Sequence, residues 1–497
     1  MKFNFYRRNI PGLSWLTIVK KDCMDIDVYC GYNVECHDNF FAAGVWAGDF
    51  LSGGFSSSMF SCCSGAELNN GHLRFSTPSH MLEQLFSIHY GNQFLISNSL
   101  AFLLAHTGFE LDENYYNYEE DLCSGLLGCE KAKKKTKLKN DHLLCIHRFC
   151  NINVDNKLRI EETKKPSIQF NDYNDYKSKI LDILDELKNN AVSDARGHKY
   201  GMISTISRGY DATTVSALAK MVGCDEVLTF KSPEKYKSDC GTAIAEKLGF
   251  SKIYEVDADT YKVSKTLLEA ECCATGDMGS ETVFCAFDEL TSGKLLFMGA
   301  RGDSVWERLH DNVNGSLDFS SGNTYSQSSL TPYEHFNLTN TIVVNIPLIG
   351  ATAWPDLARI SNSDEMKPWS VRDTYDRPIC RRIVEGAGVS RKDFGQVKAG
   401  AGMSLHFNTM KSLKNKISKK SYSSLAEFSK RLRRSKWNSV LYSFKFYCRE
   451  YPIFFNFIFS KMRVPFRFND SQCGKMSSPL SSLLVLWSTS LMMNRYK

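Results

Sequence analysis

The residues with the clearest chemical potential lie at positions 207–211, where the sequence reads Ser-Arg-Gly-Tyr-Asp. An apolar run at 202–206 precedes them and apolar residues at helical spacing follow, so they occupy a predicted strand-to-helix turn. Glycine in such a turn lets backbone N–H groups approach an anion, and the amino end of the helix adds about half a unit of positive charge. The Ser207 hydroxyl and the Arg208 guanidinium add further donors. The turn is therefore typical of a phosphate-binding site.

Asp211 completes the turn and adds a negative charge to it. A carboxylate beside a phosphate is repelled unless a divalent cation lies between them, and Mg²⁺ is the oxygen-seeking ion that usually does so. The segment therefore suits magnesium pyrophosphate, although it is not a P-loop because the Gly-Lys-Ser/Thr ending is absent. Ser, Gly and Asp are equally common at ordinary helix amino ends, so the segment alone leaves a simple N-cap open.

Alternating elements position this turn. The pattern predicts strands at 200–206, 226–230, 252–256 and 294–298, with helices at 172–195, 211–221, 239–248 and 262–274 between and before them. Strands that alternate with helices indicate an α/β fold with a doubly wound parallel sheet. Ligands of such sheets bind at the carboxyl ends of the strands, where 207–211 and the later turn at 299–303 both fall.

The two ends of the chain differ from this centre. Residues 1 to about 160 read as β-rich, with predicted strands at 15–19, 26–29 and 41–46. From Ala401 onward the chain is predicted to be helical, and it carries 18 Lys and Arg against three acids. A basic region of this kind suits an anionic lipid surface or a polyanion, or a solvated helical face.

The 497-residue chain starts without a secretory apolar run, and its longest apolar stretches are too short or too polar for a bilayer. Its 17 cysteines follow no disulfide-scaffold spacing, so we expect a cytoplasmic protein with reduced thiols. Cys145, His147 and Cys150 suggest a metal site, but the second ligand pair expected at zinc spacing is missing.

Several motifs, in order, resemble the asparagine synthetase superfamily of ATP pyrophosphatases. Residues 207–212 resemble its Ser-Gly-Gly-x-Asp-Ser pyrophosphate loop, and 299–303, Gly-Ala-Arg-Gly-Asp, are similar to its second glycine-rich acidic motif. Residues 365–369 resemble its Glu-x-Arg-x-Pro-Phe motif, and Lys398 falls where the family has a lysine after its substrate domain. Residues 91–104 look like the strand and helix that close its amino-terminal glutaminase domain. The resemblance covers roughly residues 1 to 400.

This resemblance implies three regions. Residues 1–165 would form a degenerate, β-rich glutaminase-like domain, and 166–400 an ATP-pyrophosphatase domain built on the doubly wound parallel sheet. Residues 401–497, the basic helical region, have no counterpart in the family.

The resemblance also implies a reaction and its residues. ATP and Mg²⁺ would adenylate a substrate carboxylate, and ammonia or an amine would attack the acyl-adenylate to give an amide. Asp211 and Asp303 would hold the metal, and Glu365 and Lys398 would be catalytic. The residues expected to bind ATP or its pyrophosphate are Ser207, Arg208, Gly209, Tyr210, Asp211, Gly299 and Gly302.

Three positions depart from the family pattern. Family glutaminases expose a Cys as the first residue after Met removal, whereas this chain has Lys2, so no amino-terminal nucleophile can form without internal cleavage. The nitrogen would therefore come from ammonia, an amine or a separate amidase. Arg208 replaces a glycine and favours phosphate, while Ala212 replaces a serine and loses a hydroxyl donor.

Two other functions remain open from the residues. An ATP pyrophosphatase that modifies RNA, for example by thiolation, would use the basic region to hold the phosphate backbone. A non-catalytic homologue would bind the nucleotide through the altered loop without turning it over.

Overall fold

The computed structural model describes residues 1–69, 71–127, 132–231, 239–263, 266–279, 282–285, 287–308, 331–373, 375–396, 405, 409–432, 434–451, 461 and 478–497. It is a mixed α/β protein with a β-rich amino-terminal region, a central parallel sheet and a helical carboxyl-terminal region. These coarse features of the predicted fold are confirmed.

Two sheets make up the amino-terminal region. A seven-stranded sheet has the order β1-β3-β2-β9-β8-β11-β10, and a six-stranded antiparallel sheet has the order β13-β12-β7-β6-β5-β4. The strands are β1 Lys2–Arg7, β2 Trp15–Lys20, β3 Asp25–Cys30, β4 Glu35–Cys36, β5 Phe40–Trp46, β6 Ser61–Asn69, β7 His72–Ser76, β8 Leu85–Tyr90, β9 Gln93–Ser97, β10 Lys135–Lys137, β11 Leu143–His147, β12 Cys150–Val154 and β13 Ile160–Lys164. Two short helices, α1 Leu100–Thr107 and α2 Tyr118–Cys123, accompany them.

Aromatic residues fill the space between the two sheets. Trp15 of β2 contacts Phe41 of β5 edge-on at 5.1 Å and stacks on Phe75 of β7 at 6.1 Å. Its indole N–H donates to the Ser64 hydroxyl of β6 at 3.1 Å. Buried aromatic pairs of this kind both exclude water and fix the alignment of the layers.

The central region is built on a five-stranded sheet in which every neighbouring pair is parallel. Its strands are β14 Gly201–Thr205, β15 Glu226–Phe230, β16 Lys252–Val256, β17 Lys294–Met298 and β18 Ile342–Asn345, in the order β16-β15-β14-β17-β18. The helices are α3 Tyr173–Ala191, α4 Tyr210–Met221, α5 Thr242–Lys247, α6 Leu268–Cys273, α7 Thr282–Cys285, α8 Asp288–Thr291, α9 Gly302–Val305, α10 Tyr333–Thr339, α11 Trp354–Ser361 and α12 Pro378–Gly386.

The strand order reverses at β14. The chain builds β15 and β16 on one side of β14 and then crosses to add β17 and β18 on the other side. In parallel α/β sheets, ligands bind outside the carboxyl ends of the strands at such a reversal. The gap between the ends of β14 and β17 is therefore the place where this fold favours a binding site.

Most predicted central elements are observed with small changes at their ends. Strands 226–230, 252–256 and 294–298 have the predicted bounds, and α3 begins behind the Asp172 cap, whose side chain accepts from the Asp175 N–H at 2.9 Å. The helix predicted from residue 239 is wrong at its start, because Cys240 instead forms a bridge with Ser207 and α5 begins at Thr242. Residues 262–263 belong to a 3₁₀ turn, Ala258–Val263, ahead of the shorter α6.

Four helices follow in the carboxyl-terminal region: α13 Met410–Leu413, α14 Lys419–Arg431, α15 Lys436–Glu450 and α16 Pro479–Met493. Helix α16 packs against α1 and α6, and Leu484, Val485 and Trp487 are completely buried there. The last residues join the same core, since Tyr496 stacks on Phe102 of α1 at 4.7 Å. The end of the chain thus connects the amino-terminal and central regions.

None of the described helices has both the length and the apolar character needed to cross a membrane. The cysteines in the described ranges are free thiols.

Candidate functional site

The turn at 207–211 joins the end of β14 to α4, as predicted. The Ser207 hydroxyl accepts from the Gly209 N–H at 3.1 Å, and the Thr213 hydroxyl donates to the carbonyls of Ser207 and Gly209, both at 2.7 Å. Within the described part of the chain, no side chain caps the amino end of α4, which Gly209 occupies. The first N–H groups of a helix lack intrahelical partners, so this end retains donors for an anion.

The neighbouring segment at 239–241 holds the turn from one side. The Arg208 N–H donates to Asp239, at 3.2 Å to its carboxylate and 3.3 Å to its carbonyl, next to the bridge between Ser207 and Cys240. Burial raises the pKa of Asp239 above its usual range, opposed by the Arg208 contacts. The Arg208 backbone is therefore fixed, and its side chain leans toward the Asp393 carbonyl at 3.4 Å.

Asp211 meets the second predicted motif directly. A side chain at Gly302 would place its Cβ 2.5 Å from the Asp211 carboxylate, and one at Gly299 would place its Cβ 2.9 Å from the Asp211 backbone. Only glycine permits this approach at either position. Arg301, which directly precedes Gly302, adopts a left-handed conformation with φ 67°, which turns the chain into α9 and puts Asp303 in its first turn. The two glycine-bearing turns thus meet where the strand order reverses.

Arg377 binds one of the two predicted metal ligands, Asp211. Its guanidinium donates to the Asp211 carboxylate at 2.5 Å, and only 3 % of its side chain is exposed. Burial by itself would lower the pKa of Arg377, but attraction to Asp211, with a smaller contribution from Asp303, raises it overall. The buried arginine and the two acids therefore form one electrostatic cluster.

Tyr210 turns into the protein interior rather than toward the turn's open side. Its ring is fully buried, packs 4.8 Å from Tyr375, and accepts a hydrogen bond from Arg381 on its hydroxyl. Gly395 lies against the ring, where a Cβ would come within 2.4 Å, and its N–H donates to the Arg208 carbonyl at 2.8 Å. Only the backbone of Tyr210 is thus left to contribute to the surface of the turn.

The donor set at this edge fits Mg²⁺. Asp211 and Asp303 supply hard carboxylate oxygens, the type of ligand that Mg²⁺ takes in proteins. The Asp211 side chain remains 27 % exposed although one of its oxygens accepts from Arg377. A cation here would share Asp211 with the Arg377 guanidinium.

A cavity of about 420 Å³ opens beside the turn. Arg208 lines it together with Thr242 and Lys247 of α5 and with Asp393. Lys247 pairs with Asp393 at 2.6 Å, which links α5 to the segment that carries Gly395. The cavity therefore continues the turn's surface toward the end of β15.

The two predicted catalytic residues have different outcomes. Glu365 lies in a 3₁₀ turn, Asp364–Trp369, and accepts from Arg382 at 2.6 Å. The same guanidinium covers the ring of Tyr173 at 3.8 Å. The Glu365 carboxylate is thus engaged in a partly exposed ion pair on the outer side of α12. Lys398 lies outside the described residues.

Arg377 and Arg381 were not predicted as site residues. The one feature of the sequence that points to them is the density of arginines at 372–382, which includes the run Arg-Pro-Ile-Cys-Arg-Arg at 377–382. Their partners are 166 and 171 residues away in sequence, so spacing alone cannot reveal the contacts.

The two packed sheets of the amino-terminal region, here called the amino-terminal sandwich, contain position 2 and the suggested metal motif. Lys2 belongs to strand β1, where its N–H donates to the Met24 carbonyl at 2.8 Å and its ammonium pairs with Asp25 at 3.3 Å.

His147 and Cys150 come within 4.8 Å of Glu162, whereas the third residue of the sequence motif, Cys145, is not part of that cluster. Both ring nitrogens of His147 are already hydrogen-bonded at 2.8 Å, to Ser87 and Glu162.

The chain matches no protein-family model, and no curated protein is similar to it.

Proposed function

We propose that the protein is an ATP- and Mg²⁺-dependent synthetase that forms an amide bond. It would adenylate a substrate carboxylate with release of pyrophosphate, and ammonia or an amine would then attack the acyl-adenylate to form the amide and release AMP. The sheet would be of the asparagine synthetase type, with the amino-terminal sandwich as its degenerate glutaminase-like companion.

One observation carries this proposal. Asp211 after β14 and the turn at 299–303 after β17 lie in contact at the reversal of strand order, with two glycines making the contact possible. A polar, anion-attracting helix end, two acids and a buried arginine share this place. A nucleotide triphosphate with its cation has the charge pattern that such a set complements.

The described residues have separate roles in the proposed reaction. A magnesium ion held by Asp211 and Asp303 would supply positive charge to the phosphates. The amino end of α4 and the Ser207 hydroxyl would bind the departing pyrophosphate, and Arg377 would neutralise charge that develops there. Groups aimed in advance at developing charge act mainly in the transition state.

The nitrogen donor is proposed to come from outside the chain. Lys2 lies within an edge strand and stands where family glutaminases have their nucleophilic cysteine. Free ammonia, an amine substrate or a separate amidase would supply the nitrogen.

A second candidate is supported by the same arginine. Because Arg377 already compensates Asp211, a protein that binds nucleotide without turning it over is also consistent with the cluster. The two candidates differ in whether pyrophosphate is ever released.

The experiment is ATP–pyrophosphate exchange with the full chain, Mg²⁺ and pools of carboxylates, alongside direct measurement of ATP binding. We expect exchange with at least one pool, lost in Asp211→Asn. Asp225→Asn is the matched control, since Asp225 precedes β15 at the opposite end of the same sheet and pairs with Lys220. ATP binding without exchange in any pool would favour the second candidate, and absence of ATP binding would overturn both.

A further inference from the structure

Helices α15 and α16 have the same length of 15 residues but place their apolar side chains oppositely. Helix α16 buries its Leu, Val and Trp residues in the core. Helix α15 exposes a series of large apolar residues to solvent: Trp437 is 84 % exposed, Val440 64 %, Leu441 52 % and Phe444 48 %. We call these four residues the α15 stripe.

The α15 stripe is one continuous surface. At 100° per residue its members fall within about 100° of the helix circumference, the width of an apolar face that normally packs on a core. Lys436 and Lys445, both exposed, border it on its two sides. Asn438 is also exposed beyond one border. The stripe is thus an apolar strip edged by positive charge.

The opposite side of α15 holds the helix on the protein. Tyr442 stacks on Tyr116 at 4.3 Å and its hydroxyl donates to Asn117 at 3.0 Å. Just before the helix, the Arg434 guanidinium lies 4.4 Å from the centre of the Tyr116 ring. The Ser435 N–H donates to Asn114 at 2.9 Å. The stripe is therefore displayed on an anchored helix.

We infer that the α15 stripe docks on an anionic phospholipid surface. An interfacial helix needs apolar side chains to enter the acyl boundary and basic groups to meet the headgroups, and tryptophan favours that boundary. The surrounding region supplies the charge, since residues from 401 onward carry 18 Lys and Arg against three acids. Exposed bases on the preceding segment include Lys411, Lys414, Lys416, Lys419, Lys430 and Arg431. Charge complementarity thus selects an anionic surface over a neutral one.

The proposal is tested with the full chain and vesicles of phosphatidylcholine, with or without phosphatidylserine. The wild type binds the mixed vesicles, and Val440→Ser/Leu441→Ser weakens binding by roughly tenfold or more, because two apolar contacts with the acyl boundary are lost. Leu51→Ser is the matched control: Leu51 is 62 % exposed in the amino-terminal region, and its variant binds like the wild type. Lys436→Glu/Lys445→Glu lowers the preference for phosphatidylserine, because two of the exposed bases that meet the headgroups are replaced by acids.

A second readout does not depend on affinity. The chain has 7 tryptophans, so the signal of Trp437 is obtained as the difference between the wild type and Trp437→Phe. Brominated lipids quench that difference signal when Trp437 enters the bilayer. Unchanged vesicle binding in the stripe variant, or an unquenched Trp437, would overturn the inference.

Two further outcomes would assign the stripe to another partner. A wild type that is dimeric without lipid, with a monomeric Val440→Ser/Leu441→Ser variant, would make the stripe a contact between two copies. In the second outcome, RNA displaces the wild type and the stripe variant from vesicles to the same extent, while both proteins bind RNA equally well. That result would make the region a polyanion site. Either result overturns the lipid assignment.

Discussion

The central sheet and the amino-terminal sandwich both contain ionic groups away from bulk water, but they use them differently. At the sheet edge, buried Arg377 donates to Asp211, whose side chain stays 27 % exposed. In the sandwich, the Lys165 ammonium is buried and donates to the Ser76 hydroxyl, which in turn donates to Asn151 at 3.0 Å.

The sandwich network continues to an acid. The Asn151 amide donates to the Ser56 carbonyl at 2.9 Å, and the Ser56 hydroxyl donates to buried Glu67 at 2.5 Å. Buried polar groups of this kind are satisfied by one another, which specifies the packing. The comparison indicates that the sheet edge leaves the Asp211 carboxylate partly exposed, whereas the sandwich encloses its charges in a hydrogen-bonded network.

The largest expected effect comes from replacing the two acids at the sheet edge. If the proposed function holds, Asp211→Asn and Asp303→Asn should each lower pyrophosphate release by roughly 10³-fold or more, because each removes a charge that the proposed magnesium ion would need. The amide oxygen introduced by Asp211→Asn can still accept from Arg377, so the fold should persist. Steady-state pyrophosphate release is measured beside thermal unfolding. A variant that unfolds normally and turns over like the wild type would show that its acid is structural.

The next largest effect is expected at Lys398, whose role is predicted from the sequence alone. It lies in a glycine- and alanine-rich stretch, 395–402, whose composition predicts a loop. In the proposed reaction, a loop lysine near the triphosphate would neutralise charge as pyrophosphate departs. Lys398→Ala should lower turnover by roughly 10² to 10³ while ATP affinity changes far less, since such help acts in the transition state. Lys398→Arg should retain part of the rate because it keeps the charge but not the shape. Turnover and ATP affinity are measured separately, and equal loss in both would contradict a transition-state role.

The sequence predicts local features well at this site and long-range contacts poorly. Strands at 226–230, 252–256 and 294–298 are short apolar runs bounded by polar residues, and they were predicted with their observed bounds. The Arg377–Asp211 pair was missed, because nothing in the sequence around Arg377 specifies a partner 166 residues away.

The carboxyl-terminal region shows the same limit. Its excess of basic residues was visible from composition, but the two apolar helices within it have opposite surroundings. Helix α16 packs on α1 and α6, while α15 exposes its stripe, and both carry similar apolar residues. Docking depends on complementary surfaces elsewhere in the chain, which a local pattern does not contain.

A smaller effect is expected on the pH dependence of stability, through the buried Lys165 of the sandwich. Burial lowers the pKa of Lys165 to about 8. A lysine whose pKa is lowered by folding stabilises the fold fully above its unfolded pKa, near 10.4, and loses that contribution as pH falls through about 8. The wild type should therefore gain about 3 kcal/mol in free energy of unfolding from this group between pH 8 and 10.5.

Lys165→Met should lack this gain. Urea unfolding is measured across the pH range for both proteins, because their difference isolates Lys165 from other titrating groups. Lys164→Met is the matched control, since Lys164 is the exposed neighbour at the end of β13. A difference between wild type and Lys165→Met that stays constant with pH would show that the ammonium is solvated, and the contrast between the two regions would weaken.

The smallest expected effect is no change at all, and it tests whether the sandwich has any glutaminase chemistry. Lys2 is held in β1 by backbone pairing with β3. Its side chain forms an exposed ion pair with Asp25. Pure protein should therefore release no glutamate from glutamine, and Lys2→Ala should behave identically. With a carboxylate that supports exchange, ammonium chloride should yield amide where glutamine does not, because the sheet edge and not the sandwich would perform the chemistry. Glutamate is quantified with and without ATP and carboxylate. Release by the wild type above the level of Lys2→Ala would place a nucleophile in the sandwich and erase the functional difference between the two regions.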